Sequence, residues 1–183
     1  MHIETELRRS HSKAQCDKIV QYIGERKDRF EELMKLFFSG EYLLTQRAAW
    51  PMGYCVRNHP SLVRPWFKKM LDVLESANAH PAAKRNIVRV FQFTDIPKRY
   101  QGRLMHDCFG FIEDPEEAIA VKAFSLTILE NLCNVYPEIL PEIKTIIEAR
   151  WEQETPAFRS RARKILGKKQ GSVAAGEWLI DYI

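Results

Sequence analysis

The residue types that can do chemistry are present in this chain, but their spacings point to binding and not to bond-making. Cys16, Cys55, Cys108 and Cys133 form no CxxC pair, and each sits among apolar neighbours. That placement suits small core residues in a reducing cytoplasm better than a disulfide framework or a metal cage. His2, His11, His59, His80 and His106 make no HExxH or related ligand spacing. His106 and Cys108 are two apart, which on a helix turns them away from each other. The sequence has no GxSxG, P-loop or GxGxxG motif, and its eight glycines leave little material for loops that cradle phosphate. The carboxylate pairs Asp114/Glu117 and Glu138/Glu142 read more simply as helix-start charges or exposed faces than as acid–base pairs. The expectation is a non-enzymatic chain without metal or cofactor.

What remains is positive charge set among aromatic rings. Arg64, Trp66, Lys68 and Lys69 lie in one segment, and Lys98, Arg99, Arg103 and His106 in a second. A third, with Glu142, Lys144 and Glu148, is mixed. Arg159, Arg161, Arg163, Lys164, Lys168 and Lys169 place six charges within eleven residues. Clusters of this kind suit a phosphate backbone or an acidic protein segment. They also have a structural reading, in which the stems cover apolar surface or the charges offset a helix C-terminus. Pairing with the acidic segment 113–155, which carries a balance of −7, is the favoured reading of the last cluster. Residues 61–112 carry +5, whereas the net charge of the whole chain, +4, is too small to demand a nucleic-acid partner. Trp50, Trp66, Trp151 and Trp178 are expected in core or seam positions, with Trp66 the candidate for an exposed contact.

The elements that position these residues are helices. The 183 residues, 45% hydrophobic and 28% charged, are sized and composed for one globular domain. No apolar run is long enough to span a membrane and no secretory signal is apparent, so a soluble cytoplasmic chain is expected. Apolar residues recur at helical spacing. Cys16, Ile19, Val20 and Ile23 form one stripe behind Ser12 as N-cap, and Phe30, Leu33, Met34, Phe37 and Phe38 form the next. Val63, Phe67, Met70, Leu71 and Leu74 follow, then Ile139, Ile143, Ile146 and Ile147, then Phe158, Ala162, Ile165 and Leu166. Ile87–Phe91 is β-branched enough for a strand, but its flanks argue for helix. Prolines mark helix starts: Pro60, Pro81, Pro97, Pro137 and Pro156 open helices, and Asp114-Pro115-Glu116-Glu117 predicts another start. Pro51 lies inside an apolar stretch and is expected to kink or break its helix.

These starts recur. Pro60 to Pro97 is 37 residues, and Pro97 to Pro137 is 40. Steps of 37 and then 39 align Val63 with Tyr100 and Ile139, Phe67 with Leu104 and Ile143, and Leu71 with Cys108 and Ile147. A two-helix unit of about 40 residues is the period of stacked α-solenoids.

The chain resembles HEAT-type repeat proteins, most specifically over Val121–Leu166, with weaker copies at Gln46–Glu75 and Lys84–Ile112. It is similar to small bacterial HEAT-like proteins of about this length. Some of those carry an adenylosuccinate-lyase label, but the lyase signature, a Ser-rich loop with a Met-Pro-x-Lys-x-Asn run, has no counterpart in this chain. The resemblance implies an all-α, right-handed α-α superhelix of three to four helix pairs. Residues 1–40 would be irregular capping helices, 41–167 the repeats and 168–183 a C-terminal cap. It also implies that second helices line the concave face, which makes Arg64, Trp66, Lys68, Arg99, Arg103 and His106 the candidate binding residues. Arg159, Arg161, Arg163 and Lys164 form a secondary basic patch. The leading expectation is a module that binds a protein or peptide along the concave face. The alternative is nucleic acid on a basic concave surface, as in HEAT-like DNA-alkylation-repair proteins, whose catalytic residues have no counterpart here.

Overall fold

The computed structural model describes residues 1–76 and 79–168. They form ten α-helices: α1 (Ile3–Arg9), α2 (Lys13–Ile23), α3 (Lys27–Phe37), α4 (Tyr42–Asn58), α5 (Phe67–Leu74), α6 (Pro81–Phe91), α7 (Lys98–Glu113), α8 (Ile119–Leu132), α9 (Leu140–Arg150) and α10 (Pro156–Leu166). Short 3-10 segments, Pro60–Trp66 and Pro137–Ile139, lead into α5 and α9, and a third, Trp151–Gln153, follows α9. No strand occurs among the described residues. Ile87–Phe91 belongs to α6, as its flanks predicted.

Local chemistry sets most boundaries. The Ser12 hydroxyl accepts from the Gln15 N–H at the start of α2, and Gly24 ends that helix at φ 51°. His80 Nδ1 accepts from the Ala82 N–H at 3.0 Å ahead of Pro81, and the Thr155 hydroxyl accepts from the Phe158 N–H ahead of Pro156. Two expectations need correction. The start predicted at Asp114-Pro115 is a turn, and α8 begins at Ile119. The Asp114 N–H closes α7 on the Gly110 carbonyl, while its carboxylate accepts from the Glu116 N–H at 2.9 Å, so the capping chemistry serves a turn. Pro51 does not break its helix either: α4 runs through it to Asn58 with the proline buried inside. Its neighbours Ala48, Ala49, Met52, Cys55 and Val56 are buried on both sides of it, and this packing holds the segment helical despite the missing N–H.

Consecutive helices pack as pairs: α3 with α4, α5 with α6, α7 with α8, and α9 with α10. The pairs stack in chain order, so α2, α4, α6, α8 and α10 form one layer, and α5, α7 and α9 lie side by side in the other. This is an all-α solenoid. The aligned positions Phe67, Leu104 and Ile143, and Leu71, Cys108 and Ile147, are all buried on α5, α7 and α9. Tyr100 alone of the nine is half-buried. At the first end, α1 and α2 pack over the α3–α4 pair, so the expected boundary at residue 40 falls between two helices in contact. Arg47 Nη1 donates to the carbonyls of Leu7 and Arg8, which closes the C-terminus of α1. The expected cap at 168–183, with Trp178, lies outside the described residues except for Lys168.

The last pairs are joined by one buried carboxylate. Glu154 Oε1 accepts from Lys122 Nζ at 2.8 Å, from Arg150 Nε at 3.1 Å and from Arg150 Nη2 at 3.0 Å. Lys122 is 4% exposed and Glu154 3%. Arg150 also reaches the Glu113 carbonyl and Lys122 the Pro115 carbonyl, while Arg159 Nε takes the Glu154 carbonyl at 2.9 Å. The α7–α8 turn and helices α8, α9 and α10 therefore meet at Glu154. Removing the carboxylate would leave Lys122 charged and buried. Glu154→Ala is expected to cost about 3–5 kcal/mol in urea unfolding. A double variant, Lys122→Met with Glu154→Leu, should recover most of that loss.

Candidate functional site

The residues singled out on the α5–α7 side do not form a free basic groove. Arg103 donates from Nε to Glu75 at 2.8 Å and from Nη2 to Asp72 at 3.0 Å. Lys68 Nζ lies 2.8 Å from the same Asp72. Two cations thus meet two acids, and the hydrogen bonds hold the Asp72 and Glu75 carboxyls below their usual range. Trp66 is half-buried and stacked on Phe38 with centroids 5.9 Å apart, and Lys69 sits 4.5 Å over the Phe38 ring. Arg64 is exposed on the 3-10 segment, His106 is exposed on α7, and Arg99 lies 4.7 Å over the neighbouring Tyr100 ring. The structure brings Lys68 and Arg103 together through their acids, places Arg99 and His106 one turn either side of Arg103 on α7, and leaves Arg64 and Trp66 on the 3-10 segment.

The secondary patch divides. Arg159 and Arg163 lie 6.0 and 5.7 Å over the Trp151 ring. Arg161 points the other way, donating to Thr127 Oγ1 on α8 at 2.7 Å and to Gln92 Oε1 at 3.3 Å. Its guanidinium is 5.6 Å from the Phe124 ring. Lys164 is exposed on the same face of α10, three residues on. Of the pairings expected with segment 113–155, Lys168 meets the Glu130 carboxylate at 3.2 Å, and Arg159 takes the Glu154 carbonyl.

A tally by layer shows a feature that the tally along the chain concealed. Helices α4, α6, α8 and α10 carry ten lysines and arginines and one acid, Glu130. Helices α3, α5, α7 and α9 also carry ten, but with eight acids. The acids of 113–155 fall mainly on the α7–α8 turn, on α9 and on its flanking 3-10 segments. The signal was available in the sequence: three of the even-numbered helices contain no Asp or Glu at all. Several of the ten cations are structural, such as Arg47 and Lys122. Arg57, Arg85, Arg89 and Lys164 have no carboxylate within ion-pair distance among the described residues.

These cations alternate with aromatic rings along the outer face of the layer. Trp50, Tyr54 and Arg57 recur at helical spacing on α4, and Arg85 and Arg89 on α6, with Phe93 four residues beyond Arg89. The Arg57 guanidinium lies 5.0 Å over the Phe93 ring, which joins the two helices. Towards the first end, His11 is 5.2 Å from the Trp50 ring and Lys13 Nζ is 4.5 Å over Tyr54. Towards the other end, Asn131 on α8 donates to the Gln92 carbonyl at 3.3 Å.

All four cysteines are free and buried, and burial pushes the Cys16 and Cys55 thiols up to about 12. No group of His, Cys, Asp and Glu able to hold a metal occurs among the described residues. No helix there is long and apolar enough to cross a membrane.

The stacked pairs have the architecture of one repeat class, and the sequence agrees. The chain belongs to the HEAT repeat family, whose model, described as a HEAT repeat domain, matches residues 3–169. Members of this family commonly mediate protein interactions and typically serve as non-enzymatic scaffolds. Searches of the curated proteins and of the solved structures find no match.

One titratable group near Arg103 stands apart from the ion pairs. Burial, and then the Glu75 charge, push the Asp107 carboxyl up to about 6, against the pull of His106, Arg103 and Lys84. Its Oδ2 atom is buried without a hydrogen-bond partner. The folded pKa is raised, so the group's favourable contribution is complete below about pH 4 and is lost as pH rises through 6. Asp107→Asn should stabilise the fold above pH 7 by about 1 kcal/mol, a full shift discounted for a half-exposed group. Urea midpoints measured from pH 4 to 8 should fall for the parent and stay flatter for the variant.

Proposed function

We propose that this chain is a non-enzymatic module that binds nucleic acid along the outer face of the α4–α6–α8–α10 layer. The observation that carries this reading is the contrast between helices: α4, α6, α8 and α10 carry ten cations and one acid, whereas α3, α5, α7 and α9 carry ten cations and eight acids. A phosphate backbone gains from each unneutralised cation through counterion release, and mixed-charge faces give no such gain. The rings between the cations add a second reason. Bases stack on aromatic faces whatever their sequence, whereas an acidic peptide would use the arginines and leave the rings unoccupied. Lateral contact is also more extensive among the even-numbered helices than among the odd-numbered ones. Such packing belongs to the inner side of a curved stack, and the concave surface is where solenoids present extended binding sites.

Fluorescence anisotropy of labelled DNA, at low and at physiological salt, tests this. Arg85 and Lys164 are exposed and have no carboxylate partner among the described residues, so Arg85→Glu and Lys164→Glu leave the core intact. Each should weaken binding at least about tenfold and lower the salt slope by about 0.7–0.9 per cation removed. Lys68→Glu, on the opposite layer, should change neither quantity. Equal losses from both layers, or no binding by the parent at physiological salt, would overturn the assignment and favour a protein partner.

A further inference from the structure

The chain leaves the described part of the structure at one edge of the basic face. Helix α10 ends at Leu166, and Lys144 Nζ of α9 donates to the carbonyls of Leu166 and Lys168 at 3.1 and 2.6 Å. The Lys168 side chain meets Glu130 of α8 at 3.2 Å, so this exit point is held against α8. From α10 the face continues across that helix, because Arg161 donates both to Thr127 of α8 and to Gln92 at the end of α6. The charged residues of α8 are Lys122, buried on Glu154, and Glu130. The middle of the face therefore offers a ring and neutral polar groups between the cations of α6 and those of α10.

The sequence that follows is of the opposite charge. Residues 170–183 hold two carboxylates, Glu177 and Asp181, and no lysine or arginine. An aromatic residue, Trp178 or Tyr182, comes directly after each acid. Arginines set among rings take both kinds of group, since carboxylates accept from guanidinium groups and aromatic faces lie beneath them. Nine residues lead from Lys168 to Glu177, a reach of at most about 30 Å. Helix α6 lies two helix spacings from α10, about 16–20 Å.

We infer that segment 170–183 of this chain occupies the basic face, with Glu177 and Asp181 on the cations of α6 and α10, and that nucleic acid binds by displacing it. The inference rests on the nucleic-acid reading above for the displacing ligand and adds a control on access. A covalently attached segment competes at an effective concentration in the millimolar range, whatever the amount of protein. A short anion replaces one carboxylate and gains little. A strand that runs from α4 to α10 replaces two carboxylates with several phosphates, so the face selects long polyanions over short ones.

Hydrogen exchange read by mass spectrometry on the full chain tests the docking. Amides of 173–183 should exchange at least about tenfold more slowly than in a synthetic peptide of the same sequence. Arg85→Glu with Lys164→Glu should remove that protection, and Lys68→Glu, on the opposite layer, should keep it. A 20-residue oligothymidylate should also remove it. Anisotropy with the same labelled strand tests the competition. Glu177→Gln with Asp181→Asn should tighten binding about tenfold, whereas Glu138→Gln with Glu142→Gln, two exposed acids of the other layer, should not. Absence of protection overturns the inference. So does protection that survives both Arg85→Glu and Lys164→Glu, which would place the segment as a cap over the outer side of the last pair. Equal tightening by both neutralised pairs shows long-range charge alone and overturns the competition. If the parent binds no oligonucleotide, the nucleic-acid reading falls, and release of the segment by Arg85→Glu with Lys164→Glu still establishes what occupies the face.

Discussion

A helix that is apolar around most of its circumference has to be covered on nearly every side, and α8 is that helix. Val121, Ala123, Ser125, Leu126, Ile128, Leu129 and Leu132 are all buried, and they cover most of its circumference. Its neighbours α6, α7 and α10 supply the cover. Lys122, the one cation of α8, cannot reach water and is drawn instead to Glu154, which fixes the approach of α9 and α10. Each layer can then spread in only two directions, along the chain towards each end. The strip of α8 that remains, with Phe124, Thr127 and Asn131, lies along the basic face.

The helical stripes were legible because amphipathic periodicity is local, and burial follows it closely. Phe30, Leu33, Met34 and Phe37 are buried as their spacing demanded, as are Phe158, Ala162 and Ile165. The period also emerged, because each pair must repeat the same apolar contacts to stack. At two boundaries local propensity is overridden: a competing turn takes Asp114-Pro115, and the surrounding core carries α4 through Pro51 without a break. The binding face was harder to read. Arg103 is basic in any list of residues, and only the approach of Asp72 and Glu75, about thirty residues earlier, shows that its charge is spent. Arg85 and Arg89 look no different in sequence, yet no carboxylate among the described residues pairs with them.

The separation of charge between layers follows from how each is built. The turns and 3-10 segments between helices carry much of the acid of the chain, as at 114–117 and Glu152. The helix starts among them favour negative charge at their positive dipole ends. Helices α6 and α10 open on other devices, His80 with Pro81 and Thr155 with Pro156, which cap without adding charge. Their exposed turns are thus free to accumulate arginine without a compensating acid.

The four thiols have a use that their chemistry alone would not suggest. Cys16, Cys55, Cys108 and Cys133 lie in or at the ends of four different helices, α2, α4, α7 and α8, and all are buried and protonated. None can react while its neighbours are packed, since reagent and base must both reach the sulfur. In a stack held by nearest-neighbour contacts, the pairs can open separately. The cysteines are therefore built-in clocks: Cys16 and Cys55 time the opening of the first end of the stack, and Cys108 and Cys133 together time the α7–α8 pair.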